Sequence, residues 1–256
     1  MIAHFKGEFL DGSLALSPEA PGLRFGLGVF ETLFYNGRVL CRLEAHLARL
    51  GRSLEALGLV PEPQDHRAVL AEVLRRNGLE GRTARVNLFC LEEAEGAPAP
   101  FLSTAAPYDP EPVPPLRLQP CPELHESWLC AHKTMNYAPF VLARRRARAQ
   151  GCDDALLLDR EGQILETATA AVVLARNGRL AAPASALRLP SLALEAAREV
   201  LDIPAQPMRL EDLAAADHVY VCNSLMGMRP VAAIGERVFP LDEKTCALVT
   251  RAIREE

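Results

Sequence analysis

The chain has 256 residues, enough for one large domain or two small ones, each able to bury a real core. Hydrophobic residues make up 49% and charged ones 24%, which excludes a disordered or collagen-like chain, and a net charge of −5 disfavours polyanion binding as the main task. The seven cysteines are scattered with no C-x-x-C pair, no stretch approaches the length of a membrane span, and MIAHFKGEFLDG lacks an apolar leader core. Neither a disulfide framework, a zinc knuckle nor a membrane segment is expected, and a reducing cytoplasm is.

In chain order, the runs GVFETLF (28–34) and RVLC (38–41) flank Asn36-Gly37, the strongest short-range hairpin signal. Leu43, Leu47, Leu50, Leu54 and Leu57 then recur at helical steps, with Gly58 as the stop. A second helix is predicted over 65–76, ending at Asn77-Gly78, and a strand over 83–90. Prolines crowd between 97 and 122, where they forbid helix and disfavour inner strands, so PYDPEPVPP (107–115) reads as an interdomain connector. Beyond it the spacing predicts a helix over 137–150 closed by Gly151. A meander follows, made of DDALLLD, GQILETATAAVVLA and RLAAP and split by turns at 159–162 and 177–178. A helix over 190–201, the strand HVYVCN, the run RPVAAIGERVFP and a C-terminal helix complete the chain. Strands and helices alternate without a regular βαβ rhythm, so the expected class is α+β in two lobes.

Only Lys6, Lys133 and Lys244 are lysine, so an amine nucleophile has three candidates. Lys6 and Lys244 lie among polar residues near the chain ends. Lys133 stands in HKTMNY, between Cys130 and Pro139, at a loop or strand end where partial loss of hydration favours the neutral amine. Cys130 and His132, two apart, form a formal Cys-His pair without an orienting acid. On the 43–57 helix, Arg42, His46 and Arg49 share one flank beside the leucine stripe, where His46 reads as a packed core-edge residue. Gly26-Leu27-Gly28 lacks the third glycine and following helix of a dinucleotide loop.

The segment HKTMNYAPFVLARRRARAQGCDDALLLDREGQILETATAAVVLARNGRL resembles the core of the class-IV aminotransferase family, the fold-type IV pyridoxal-phosphate enzymes, and FGLGVFETLFYNGRVLCRLEAHLARL resembles that family's N-terminal succession. The resemblance runs from about residue 20 to about residue 235. It implies a two-domain α+β fold of the D-amino-acid aminotransferase type, with a small N-terminal α/β lobe and a larger β-barrel-like C-terminal lobe. The expected boundaries are 1–107, a linker over 108–115, and 116–256 carrying the Schiff-base lysine. It further implies pyridoxal 5'-phosphate as cofactor, bound covalently by Lys133, which also serves as the proton-transfer base. Glu166 is expected at the pyridine nitrogen, Arg49 at the phosphate, Thr169 and Tyr137 beside the cofactor, and Ser191 at a second phosphate contact.

The segment VCNSLMGMRPV is more similar to the aminodeoxychorismate lyase branch of the family than to its aminotransferases, with Asn223 and Ser224 expected at the phosphate or the substrate carboxylate. The expected substrate is then aminodeoxychorismate, and the expected form a cytoplasmic homodimer that binds neither nucleic acid nor membrane. Aminotransferases acting on branched-chain or D-amino acids, and a binding protein without turnover, are the alternatives. Leu27 replaces an acidic residue of the family pattern, and the R-x-H carboxylate trap of the D-amino-acid enzymes is absent from the sequence.

Overall fold

Ile2–Phe5 (β1) and Glu8–Asp11 (β2) form an antiparallel hairpin to which the sequence reading gives no element. Lys6 and Gly7 turn it, both at positive φ (51° and 78°), the backbone that matches the twist of paired strands. The computed structural model describes residues 1–110 and 114–255, so the middle of the expected connector, 111–113, lies outside the described residues. The described residues divide into two units, 1–110 with 132–136, and 114–131 with 137–255.

In the first unit a short helix, Pro21–Phe25 (α1), leads into the strand Gly28–Asn36 (β3), whose alternation buries Val29, Glu31 and Leu33 on one face. Asn36-Gly37 makes the expected turn, since Asn36 Oδ1 accepts from the Arg38 and Val39 amides. The run 38–41 contributes only a bridge between Leu40 and Tyr35, because the chain passes directly into the helix Leu43–Ala56 (α2) through Arg42 at φ 55°. His66–Arg76 (α3) is capped by the Asp65 carboxylate. Thr83–Leu91 (β4) pairs with β3, and Phe101–Pro107 (β5) lies between β4 and β1. The proline rule therefore misleads here: FLSTAA is free of proline, with Pro100 before the strand and Pro107 at its last position, so an inner strand fits inside the proline-rich stretch. The sheet runs β2-β1-β5-β4-β3, wholly antiparallel, and Leu43, Leu50, Leu54, Leu70 and Val73 of the helices pack against Leu33, Val86 and Leu88.

In the second unit Leu116–Pro120 (β6) precedes the helix Ala138–Ala149 (α4), and Asp154–Leu158 (β7) and Ile164–Thr167 (β8) form a hairpin over the 159–162 turn. The expected single run GQILETATAAVVLA breaks at 168–170, so β8 is separate from Ala171–Arg176 (β9), which pairs instead with Arg179–Pro183 (β10). Leu192–Val200 (α5), Ala205–Gln206 (β11), His218–Asn223 (β12), Gly227–Ile234 (β13), Arg237–Val238 (β14) and Glu243–Arg254 (α6) follow. The strand path is β11-β10-β9-β12-β13-β6-β7-β8, with β14 on β13. Its last strand, β8, lies against β9 and β10, so the sheet curls on itself in the barrel-like manner expected. Ala193, Leu194, Ala197, Val249 and Ile253 of α5 and α6 cover the Tyr220, Cys222 and Met228 face.

Candidate active site

The lysine segment 132–136 lies along the start of β3. The Phe30 amide donates to the Lys133 carbonyl at 2.8 Å, the Met135 amide to the Gly28 carbonyl at 2.8 Å, and Val29 and Thr134 form a bridge. This close approach depends on glycine: a Cβ on Gly28 would stand 2.6 Å from the Cys90 carbonyl oxygen and 2.7 Å from Met135 Sδ. Gly26, at φ 67°, accepts the Asn136 amide on its carbonyl at 3.2 Å. Lys133 is half-buried, with Nζ over the Phe30 ring at 4.3 Å from the centroid. Lys6 instead pairs with Glu93, and Lys244 is exposed on α6.

Beside Phe30 on the same strand, Glu31 turns to the opposite face and meets α2. Its Oε1 accepts from Arg49 Nε at 2.7 Å, and its Oε2 accepts from Arg49 Nη2 at 2.6 Å and from His46 Nδ1 at 2.7 Å. All three side chains are buried, with residue exposures of 1% for Glu31, 1% for His46 and 6% for Arg49. Burial raises the proton affinity of Glu31, but the hydrogen bonds and charge of Arg49 and His46 outweigh it and hold the carboxyl at about 2. Burial lowers the pKa of His46, and the charges of Arg49 and Lys133 reinforce this against the pull of Glu31, so the imidazole is neutral and Nδ1 carries the donated hydrogen. Lys133, His46, Arg49 and Glu31 thus form one electrostatic cluster in the first unit. Arg42 occupies the cap position of α2. His132 bonds through Nδ1 to Ser53 Oγ at 3.2 Å, and burial pushes the Cys130 thiol up, which leaves the Cys-His option without an activated thiol.

In the second unit the turn between β8 and β9 gathers three of the expected residues. Tyr137 OH donates to the Ala168 carbonyl at 3.3 Å, Asn223 Nδ2 donates to the Thr169 carbonyl at 3.1 Å, and Thr169 Oγ1 donates to Asp154 Oδ2 at 2.6 Å. Thr167 Oγ1 joins the same carboxylate at 2.8 Å. Glu166, buried one residue earlier, accepts the Leu189 amide on Oε1 at 3.1 Å. Arg188 is half-buried. Burial lowers its proton affinity while the Glu166 charge raises it. Ser191 caps α5, its Oγ accepting from the Leu194 amide at 3.2 Å, and the helix thereby offers the N-terminal amides that favour an anion. Asn223 Oδ1 accepts from the Leu225 and Met226 amides at 3.0 and 2.9 Å, so its amide builds the turn that carries Ser224.

Sequence reasoning missed Glu31, Asp154 and the Leu189 amide as parts of these clusters. Two of them had a signal. Glu31 sits in phase with Val29 and Leu33, and Asp154 opens an otherwise apolar strand, so each is a carboxylate at a core position.

Residues 28–234 match the family model "Amino-transferase class IV". The chain belongs to the class IV aminotransferase family. Pyridoxal 5'-phosphate is the cofactor of this family, and each unit by itself carries groups of the kinds it needs: in the first a buried arginine and a lysine in one charge cluster, in the second a buried carboxylate anchored by a backbone amide and a capped helix N-terminus. A Methanocaldococcus jannaschii protein provisionally named a branched-chain-amino-acid aminotransferase is 27% identical over 285 residues, which cover 100% of this chain and 95% of the relative. The Mycobacterium tuberculosis bifunctional aminodeoxychorismate lyase / D-amino acid transaminase is 29% identical over 196 residues, 70% of this chain and 67% of the relative. Among solved structures, the pyridoxal-phosphate-bound form of a hypothetical aminotransferase from Mycobacterium tuberculosis superposes with a TM-score of 0.85 at 23% identity, covering 99% of both chains. The chain is thus an enzyme of a pyridoxal-phosphate-dependent family that acts on small amino or keto acids. No helix among the described residues is long and apolar enough to cross a membrane.

Proposed function

We propose that the chain is a 4-amino-4-deoxychorismate lyase that releases pyruvate and 4-aminobenzoate, acting as a cytoplasmic homodimer. The observation that supports the lyase reading is the 223–226 turn. Asn223 is followed by a small residue, Leu and Met, a succession similar to the lyase branch, and its amide is committed to shaping that turn and tying it to the Thr169 carbonyl.

Bound in the site, the cofactor supplies an electron sink for the pair left at the carbon that carries the substrate amine. Lys133 would hold its aldehyde and, once freed by the substrate amine, would take the proton from that carbon on Nζ. Arg49 in the first unit and the α5 amides in the second would be the groups for the phosphate, and Glu166 would be the carboxylate that keeps the pyridine nitrogen protonated. Thr169 and Tyr137 would lie beside the cofactor, and Ser224 would serve the phosphate or a substrate carboxylate. In the lyase reaction the C–O bond at the neighbouring ring carbon would break, enolpyruvate would leave and take up a proton to become pyruvate, and loss of the proton from the amine-bearing carbon would make the ring aromatic.

A second reading, aminotransferase of branched-chain or D-amino acids, is favoured by the Methanocaldococcus jannaschii relative, whose match spans the whole chain. Both readings share Lys133 chemistry, so substrate decides. Pyruvate and 4-aminobenzoate should appear from aminodeoxychorismate, and glutamate formation from leucine or D-alanine with 2-oxoglutarate should be minor. Strong transamination without lyase activity would reverse the assignment.

A further inference from the structure

A full negative charge stands between Val29 and Leu33 on the buried face of β3, a position where the core asks for an apolar side chain. Ion pairs this deep rarely add net stability over apolar residues of similar size, so the fold alone gives Glu31 little reason to be there. What the pair does provide is direction. Glu31 grips the side-on edge of the guanidinium through Nε and Nη2, which sets the plane of Arg49 and the direction in which Nη1 projects. His46, one turn earlier on α2, donates to the same oxygen that Nη2 reaches, so the carboxylate is itself held from two sides. Arginine on a long flexible stem would otherwise lose rotamer freedom each time it bound an anion, and this loss is met in advance when the fork is fixed.

We propose that Glu31 and His46 are positioning residues that aim the Arg49 guanidinium at the phosphoryl group of the cofactor, so that they set how much tighter the chain holds the phosphate ester than the same aldehyde without phosphate. The inference rests on the reading of Arg49 as the phosphate ligand and adds the residues that make it effective. Neither positioning residue touches the phosphate. Their hydrogen bonds act on the ligand through Arg49, whereas the contribution of Lys133 is to the aldehyde.

The test compares pyridoxal 5'-phosphate with pyridoxal as probes of the full-length chain freed of cofactor, each titrated by its visible absorbance. In the wild type the phosphate ester should bind far more tightly. In Glu31→Gln the ratio of the two affinities should fall by roughly tenfold or more, the scale of a charge-assisted bond, while pyridoxal affinity stays within about twofold. A ratio equal to the wild type's, or equal losses for both probes, would overturn the proposal, because a merely structural defect weakens both alike. Should Glu31→Gln not fold, His46 decides. His46→Leu, which removes the donor, should lower the ratio, and His46→Asn, which keeps an amide hydrogen for Glu31, should restore most of it. An unchanged ratio in His46→Leu would contradict the role. A wild-type chain that captures neither probe would instead sink the cofactor-site reading itself, an outcome the ratio measurement separates from failure of the positioning claim.

Discussion

Lys133 Nζ stands 4.3 Å from the centre of the Phe30 ring, on a backbone that is itself hydrogen-bonded to Phe30. A cation over a ring face is attracted by about 0.5–2 kcal/mol, so the aromatic residue helps hold the Lys133 side chain in place. Phe30→Leu should therefore loosen the lysine and weaken its capture of pyridoxal by roughly 2- to 30-fold, read by absorbance titration of the cofactor-free chain. An unchanged affinity would mean that the ring contributes packing only.

Glu166→Gln should keep the Leu189 amide bond, because the side-chain carbonyl still accepts it, and should keep cofactor on Lys133. Turnover should fall by roughly 10- to 100-fold, the value of the charge-assisted bond proposed between Glu166 and the ring nitrogen. Steady-state rates and retained absorbance check this together, and a near-normal rate would place the nitrogen's partner elsewhere.

Asp154 is a strut of the 167–170 turn, taking both threonine hydroxyls and the Ala155 amide on a carboxylate that is 1% exposed. Asp154→Ala removes the acceptor of the Thr169 hydroxyl and the Ala155 amide, while the Thr167 hydroxyl keeps the Ala170 carbonyl, and should cost about 1–3 kcal/mol, seen as a lowered denaturation midpoint. Thr169→Val should cost less, because the Thr167 hydroxyl still serves the carboxylate.

Acidification should destabilise the fold in two stages. His46, with His4, His66 and His125, has a lowered pKa in the folded chain, the first cause in each case being burial. The unfolded chain therefore takes up protons that the folded one refuses as pH falls below 6.5, the ordinary histidine value. Glu31, held at about 2 against an ordinary 4.5, contributes stability that is complete above 4.5 and lost as pH drops toward 2. Melting temperature should fall steadily below neutrality, and His46→Asn should flatten the slope between pH 5 and 6 by up to about 1.4 kcal/mol per pH unit. A slope identical to the wild type's would show that His46 is protonated in the folded state.

Long amphipathic or turn-bounded elements are legible because local pattern and tertiary packing agree, as in α2 with its leucine stripe and α3 with Asp65 at its cap. The hairpin of β1 and β2 escapes because its alternation is brief and its turn is Lys-Gly, not Asn-Gly. Strand β5 is hidden by surrounding prolines that fall at its edges, and the break between β8 and β9 is invisible in a run of small residues, where Thr167 folds the chain back on Ala170 and Asp154 braces the turn through both threonine hydroxyls. Ordered motifs pick out Lys133, Glu166 and Arg49 as candidates. Glu31 shows in the sequence only as a carboxylate at a core position, and its partners, like the partner of the Leu189 amide, are remote in sequence and are supplied by the fold.

The central claim, that Lys133 is the residue that binds the cofactor, has a direct test because the chain holds only two other lysines. Purified protein loaded with pyridoxal 5'-phosphate is reduced with borohydride, digested, and its peptides weighed. The cofactor mass should be fixed on the peptide containing Lys133 and absent from those containing Lys6 and Lys244. Label on either of those two, or none on Lys133 in a folded chain, would contradict the account.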